Sequence, residues 1–363
     1  MTSLPLTQTC LTQPAQGGAP PVITTSHTVP EITDEHHVLI RVLAVALNPT
    51  DYKMPDYHPV PNAIMGCDFM GTVIAIGSKV ANASLGTRLC GTLHGSNPGD
   101  HDSGTFVEYL VADERLCLRV PDAWTDLEGA ALGGVGWTTV ALAMEHSLCL
   151  KGSPLRPVAL RNDGSRVPVL IYGGGTATGT MACQILAQSG YEPLAIASST
   201  SSVLAKEYGA VSTFSYTSPT CGDSIKSYTK GALKHALDCI TNPESVQCCF
   251  TALGRMGARY ASLDHPLDEW ITRKAVKVDM PLAYVIQGKE VKMDGIYHRA
   301  ADLKMFDLGV RWTREVQHML DTGSLKYHPL RELSGKWQGI IQGLEMLRSG
   351  RVRGQKLVVR LSD

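Results

Sequence analysis

The chain has 363 residues, with 33 Lys and Arg against 34 Asp and Glu, and 44% of it is hydrophobic. That length fits two domains at about 150 residues each, and 18% charged residues is too low for a disordered chain. A formal net charge of −1 leaves no sequence-wide basic field and so excludes a nucleic-acid or anionic-membrane role resting on bulk charge.

No apolar run reaches the roughly 20 residues of a bilayer span. The N-terminal text MTSLPLTQTC lacks a charged stretch followed by an apolar one, so no secretory signal is expected. Ten cysteines are scattered without a C-x-x-C pair, several of them inside apolar runs. They read as reduced core thiols of a cytoplasmic protein.

Residues 1–35 are polar and Pro/Thr-rich and specify no element clearly. From His37 to Leu47 the run is β-rich and apolar, and strand signals recur at 69–77, 86–93 and 104–111. Gly, Pro, Asn and Asp fall between them, as in a compact β barrel or sandwich. The stretch 125–146 then reads as helical, with Thr125 as N-cap and Glu128 as its capping-box partner. A Pro/Gly/Arg-rich connector follows at 149–168. Strands and helices alternate from 168 to 263, which predicts a parallel, doubly wound sheet. Residues 264–300 are hard to read. Helices are expected again at 302–321 and 336–349, and the closing GQKLVVRL should be a strand that pairs back into the first domain. This order places a β-rich domain at 1–150, a doubly wound domain at 151–300 and a return at 301–363, with a cleft expected between the two lobes.

The central feature is VPVLIYGGGTATGTMACQILAQSGYEPLAIASS, beginning at Val167. Gly173, Gly175 and Gly179 follow a strand and open a helix. Glycine allows a sharp turn and close approach of backbone to a pyrophosphate, and the helix N-terminus supplies N–H donors and partial positive charge. Thr176 and Thr178 can add hydroxyls. The alternative is a purely structural glycine turn. At the end of the second strand, where an NAD site usually carries Asp or Glu, the chain has Ser198, Ser199, Thr200 and Ser201. Without a carboxylate a 2′-phosphate can be accommodated, which favours NADPH. The same residues also suit a cap for the next helix.

NPTDYK (48–53), GCDFMGTVIAIG (66–77), GTR (86–88), GTFVEY (104–109) and the glycine turn stand in the order of the medium-chain dehydrogenase/reductase superfamily, which the chain resembles over about 330 residues. The resemblance implies a GroES-like catalytic domain with an inserted Rossmann domain. Zinc-dependent members carry Cys in the first motif and His-Glu in the second. Here those places hold Asn48 and Cys67-Asp68, and a four-cysteine zinc lobe is absent between Cys90 and Cys117. His94 with the run Asp100-His101-Asp102 is the one local alternative for a metal, and it reads as a solvated loop; no metal site is expected. Lacking a Lewis acid, the chemistry implied is reduction of a conjugated C=C bond.

More narrowly, NPTDYK, GGGTAT, YTKGALKHALDCITNPES (228–245) and GQKLVVRL look like the trans-acting enoyl reductases of fungal iterative polyketide synthases, the lovastatin-pathway type. That resemblance implies NADPH and a partner synthase, or its hybrid with a peptide synthetase, presenting the substrate on an acyl carrier domain. It also implies a monomer. Carried over residue by residue, Thr50, Asp51, Tyr52 and Lys53 lie beside the nicotinamide. Gly175, Thr176, Ala177 and Thr178 form the pyrophosphate turn, Ser198 to Ser201 the adenosine-phosphate loop, and Tyr216 sits by the ribose. Leu263 and Asp264 stand at a strand end near the nicotinamide, and Val352 and Arg353 in a closing loop. Lys53, then Tyr52, is the candidate proton donor or enolate stabiliser; a surface lysine snorkelling over the barrel edge is the alternative. Gly136, Trp137, Thr138, Thr139, Val140, Ala141, Leu142 and Ala143 should line an acyl channel, or simply pack closely. Asp238 and Asn242 have a structural reading as strand end and turn. Arg273, Lys274 and Lys277 form a basic cluster that reads as a solvated helix face or a carrier-docking patch. A quinone or enone reductase on diffusible substrates and a silent NADPH-binding subunit are the competing functions.

Overall fold

A computed structural model describes residues 4–16 and 19–362; Met1, Thr2, Ser3, Gly17, Gly18 and Asp363 lie outside the described residues. Two units interleave along the sequence. One comprises Met1–Val135, Tyr284–Asp321 and Tyr327–Asp363, the other Gly136–Ala283 and Thr322–Lys326.

In chain order the elements begin with β1 (Thr7–Thr12) and β2 (Val22–Thr28), which pair antiparallel. Their burial explains why the entry is not a loose tail: Cys10 and Leu11 are fully buried, while β2 is mostly exposed and carries no readable pattern. Next come β3 (His37–Ala46), α1 (Pro49–Tyr57), β4 (Asp68–Ile76), β5 (Arg88–Thr92), β6 (Tyr109–Asp113) and β7 (Leu118–Arg119). The helical stretch expected over 125–146 comprises α2 (Asp126–Leu132), α3 (Val135–Leu142) and a π turn at Ala143–Ser147. Its start is as anticipated: the Thr125 hydroxyl accepts from Glu128 N at 3.3 Å, and Glu128 Oε2 accepts from Thr125 N at 2.7 Å. The break lies at Gly133, whose φ is +50°, a region that favours glycine.

The second run holds β8 (Pro168–Tyr172), α4 (Ala177–Gln188), β9 (Glu192–Ala197), α5 (Ser199–Glu207), β10 (Ser212–Ser215), α6 (Cys221–Tyr228), β11 (His235–Asp238), α7 (Pro243–Ala252), β12 (Arg259–Ser262) and β13 (Lys277–Asp279). The chain closes with α8 (Leu303–Asp321), β14 (Leu330–Leu333), α9 (Lys336–Arg348) and β15 (Lys356–Arg360).

In the first unit a seven-stranded sheet runs β14-β15-β3-β4-β5-β7, with β6 on β3. β15 pairs antiparallel with β3 through Val358↔Ala46 and Val359↔Val45, so the C-terminal strand does return to the β-rich region. Its core gathers Ile40, Val45, Phe69, Phe106, Ile340 and Leu357.

The second unit has six parallel strands in the order β10-β9-β8-β11-β12-β13. The order reverses between β8 and β11, and ligands of such sheets bind outside the strand ends at that reversal. Val169, Leu170 and Ile171 are fully buried, the continuous apolar run expected of a central strand covered on both faces. Burying each of the larger ones is worth about 1.5–3 kcal/mol. Among the described residues no helix is long and apolar enough to cross a membrane, and all ten cysteines are free thiols.

Candidate functional site

In the second unit the strand ends are level: Tyr172, Asp238 and Ser262 pair across β8, β11 and β12. Gly173 and Gly174 then turn away, both donating to Ile196 O, at 3.0 and 2.9 Å. A Cβ on Gly175 would stand 2.3 Å from Ser201 Cβ, so this turn and the first turn of α5 approach too closely for any side chain. Thr176 caps α4: its hydroxyl accepts from Gly179 N at 3.0 Å and donates to Gly173 O at 2.8 Å. That hydroxyl therefore serves the turn itself, and the donors left at the α4 terminus are backbone N–H groups. Ala177 and Thr178 are half-buried on the first turn of α4.

Ser198 caps α5 by accepting from Ser201 N at 3.1 Å. Ser199 and Thr200 are exposed on its first turn. The structure thus realises the capping reading of this stretch, and the same geometry leaves a carboxylate-free helix N-terminus that suits an anion. Tyr216 is 49% exposed just beyond β10. Leu263 N donates to Asp238 O at 3.1 Å, and both Leu263 and Asp264 are half-buried past the end of β12.

Asp238 belongs to the scaffold. Its Oδ1 accepts from Ile240 N and Thr241 N at 2.9 and 3.0 Å, and its Oδ2 accepts from Tyr260 Oη at 2.7 Å and from Ser245 Oγ. Asn242 caps α7, accepting from Ser245 N at 2.8 Å. The Arg273 guanidinium donates to the carbonyls of Phe250, Leu253 and Gly254, satisfying the end of α7. In the segment 136–143 only Gly136 is half-buried, and Trp137 to Ala143 are buried.

The first unit holds a different kind of site. Asp68, fully buried, accepts from Gly134 N at 2.7 Å and Val135 N at 2.8 Å through Oδ1. Through Oδ2 it accepts from Asn48 Nδ2 at 2.8 Å and from Lys356 Nζ at 3.0 Å. Lys356 Nζ also donates to Asn48 Oδ1. Asp68 therefore starts α3, and a Cβ on Gly133 would lie 2.4 Å from its Cγ. Two of the three positions that differ from the zinc-dependent pattern, Asn48 and Asp68, are joined to a lysine more than 280 residues away in sequence.

Beside this pair lies the NPTDYK segment. Asn48 N donates to Asp51 Oδ2 at 2.7 Å, which closes the first turn of α1 and turns the Asp51 carboxyl inward. Burial pushes the Asp51 carboxyl up to about 7, against the Asn48 N–H, which pulls it down. The Cys67 thiol is its side-chain neighbour, itself pushed well above the usual thiol range by burial. Tyr284 Oη stands 3.9 Å from Cys67 Sγ and 2.7 Å from Thr50 Oγ1. The Tyr284 ring stacks on His94 at 3.7 Å, and burial drives that imidazole down to about 3, so it is neutral. Thr50 and Lys53 are half-buried on α1. The Tyr52 ring packs on the sheet core under the Arg348 guanidinium, 5.5 Å from its centroid. Val352 is half-buried and Arg353 exposed in the loop after α9. Among the described residues no three His, Cys, Asp or Glu side chains converge as a metal site.

Sequence reasoning missed Tyr284, Cys67 and Lys356 as site residues. Tyr284 falls in the unreadable 264–300 stretch. Asp68 did leave a signal: it is the one charge in the apolar strand β4, and buried charges are almost always paired.

A family model for the alcohol dehydrogenase GroES-like domain matches residues 34–122. Trans-enoyl reductase calK of Penicillium decumbens is 45% identical, covering 98% of this chain and 98% of that protein. Trans-enoyl reductase ffsC of Aspergillus flavipes is 40% identical, covering 99% and 97%. Among solved structures, a putative zinc-dependent alcohol dehydrogenase from Rhizobium etli superposes with a TM-score of 0.77 at 22% identity over 98% of both chains. CurK enoyl reductase superposes with a TM-score of 0.69 at 16% identity, covering 97% of this chain and 99% of that one. At those identities the solved structures speak for the fold, a GroES-like unit with a Rossmann-type unit inserted, while the end-to-end likeness of the curated relatives is decisive for kinship. The chain belongs to the trans-enoyl reductases, a family of oxidoreductases on the medium-chain dehydrogenase/reductase fold.

Proposed function

We propose that this protein uses NADPH to reduce the α,β double bond of polyketide intermediates carried on the acyl carrier domain of a partner polyketide synthase, or of its hybrid with a peptide synthetase. The observation that carries the reading is the likeness, over nearly the whole chain, to proteins named trans-enoyl reductases. The donor set supports the dinucleotide: two helix N-termini, of α4 and α5, follow adjacent strands, and neither 173–178 nor 198–202 contains a carboxylate.

Gly173, Gly175, Thr176, Ala177 and Thr178 would hold the pyrophosphate, and Ser198 to Ser201 with Tyr216 the adenosine end. Thr50, Asp51, Tyr52, Lys53, Leu263, Asp264, Val352 and Arg353 would surround the nicotinamide. Bound there, the cofactor supplies hydride to the β carbon of an unsaturated thioester. The Lys53 ammonium would stabilise the negative charge that builds on the thioester oxygen, and positioning of that charge is the main catalytic work. Tyr52, with its ring on the sheet core, supports the Lys53 segment. The small residues of Gly136 to Ala143 would receive the acyl chain.

The test is NADPH oxidation with a crotonyl-type thioester set against a small quinone. Turnover of the thioester is expected; turnover of the quinone alone would overturn the reading. Lys53→Ala should lose at least tenfold in kcat at unchanged NADPH affinity, and unchanged turnover would remove Lys53 from the mechanism.

A further inference from the structure

The reaction needs a proton at the α carbon, and the polar cluster behind α1 has the parts to deliver one. Thr50 Oγ1 and Tyr284 Oη are 2.7 Å apart, and either can donate. Tyr284 Oη and Cys67 Sγ are 3.9 Å apart, again with either as donor. Asp51, 2% exposed, lies next to Cys67. Thr50 is half-buried, so the row of groups leads from a buried carboxyl to the surface of α1.

Two further observations mark this as more than packing. Three buried polar atoms in the same neighbourhood lack partners: Asp51 Oδ1, His94 Nε2 and Ser96 Oγ. Folded proteins rarely leave such groups unsatisfied, so three together call for a role. The loop bearing His94 and Ser96 is pressed onto Gly66 next to Cys67: a Cβ on Gly95 would be 2.1 Å from Gly66 O.

We propose that Thr50, Tyr284, Cys67 and Asp51 form a proton-delivery path ending at the Thr50 hydroxyl, which protonates the α carbon. The inference rests on the enoyl reductase reading. As the β carbon gains hydride, the alkene electron pair moves to the α carbon and thioester oxygen. The Thr50 O–H bond breaks and its proton forms the α C–H bond. Thr50 oxygen takes the Tyr284 proton, Tyr284 takes the Cys67 proton, and Cys67 takes the Asp51 carboxyl proton. After product leaves, one solvent proton enters at Thr50 and recharges the path in reverse. The groups facing Asp51 suit this. Burial dominates and Asp68 adds to it, while the Asn48 N–H, the Cys67 thiol and Lys356 oppose, so the carboxyl exchanges its proton near neutrality, as a general acid should. Cys67, Tyr284 and neutral His94 carry no charge at that pH. Lys53 is left to stabilise the oxygen, and Tyr284 and Asp51 act through Thr50 as positioning and relay residues.

Tyr284→Phe keeps the ring and removes the hydroxyl. It should lower kcat about 100-fold with KM and NADPH affinity unchanged, raise the solvent deuterium isotope effect, and scramble the configuration at the α carbon of product made in D2O. Asp51→Asn should lower kcat and abolish its pH dependence near 7. Wild-type kcat, isotope effect and configuration in Tyr284→Phe would overturn the path. If the wild-type protein reduces no thioester, the functional reading fails separately, and the path is read in cofactor-free protein. The Cys67 S–H infrared band, identified by its loss in Cys67→Ala, should shift with pH around 7 in wild type and not in Asp51→Asn. A band indifferent to pH would overturn the path whatever the substrate, and this readout stands even if Tyr284→Phe does not fold.

Discussion

The glycine turn of the second unit and the polar cluster of the first are built in opposite ways. The turn offers backbone: its donors are main-chain N–H groups, its hydroxyls serve as caps, and all of its parts lie within 173–201. The cluster offers side chains: Asn48, Asp51, Cys67, Asp68, His94, Tyr284 and Lys356 arrive from separate elements and are buried together. A backbone site is broken by adding atoms, because only a new Cβ obstructs it. A buried side-chain site is broken by removing them, because each loss strands a partner out of reach of water.

The largest expected effect tests the second half of that contrast. Lys356→Met leaves the Asp68 carboxylate buried without its cation and should cost about 3–5 kcal/mol, read as a drop in denaturant midpoint. Asp68→Asn in the same chain should recover much of it. A single variant within about 1 kcal/mol of wild type would mean that the pair is not what holds β15 to Asn48 and β4.

Asp51 sharpens the contrast through pH. Its folded value of about 7 lies above its ordinary 3.8, so the folded state holds the proton more tightly than the unfolded chain. Stability is full below the lower value and is lost as pH rises through the upper one, by up to about 4 kcal/mol from 1.36 kcal/mol per unit. Asp51→Asn should flatten unfolding free energy between roughly pH 4 and 7; an unchanged slope would place the proton elsewhere. His94 works with the opposite sign: its value of about 3 lies below the ordinary 6.5, so its contribution is lost as pH falls through that window.

Gly175→Ala tests the backbone half. The new Cβ meets Ser201, and overpacking of this kind costs about 1–3 kcal/mol, with dinucleotide affinity falling about tenfold for each 1.4 kcal/mol lost on the bound side. Ser201→Gly in the same chain should restore both, as measured by calorimetric titration. Equal binding in the single variant would show that the turn has room to spare. Smallest is Thr176→Val, which removes the α4 cap and should cost about 0.5–2 kcal/mol in thermal unfolding.

The same contrast sorts what could be read in advance. Gly173, Gly175, Thr176 and Ser198 were legible because a strand, a turn and a helix start are local events written in consecutive residues. Thr125 and Glu128 were legible for that reason too, and so was the return of 356–360 as an apolar strand. The helical stretch 125–146 was legible but its break was not, because the break depends on Asp68, 66 residues upstream of the Gly134 N–H it accepts. Tyr284 was invisible because the short turns around it carry no periodicity, and its partners Thr50, Cys67 and His94 lie some 190 to 234 residues away.

Taken alone, then, the order of amino acids determined the parallel sheet, the glycine turn with its uncharged second-strand end, and the motifs that identify the family. Only the folded chain decided that Asn48, Asp68 and Lys356 share one buried ion pair, that Asp51 faces inward and that Thr50 meets Tyr284. Local propensity acts over a few residues, whereas desolvation and ion pairing depend on which distant groups are excluded from water together, and that is a property of packing.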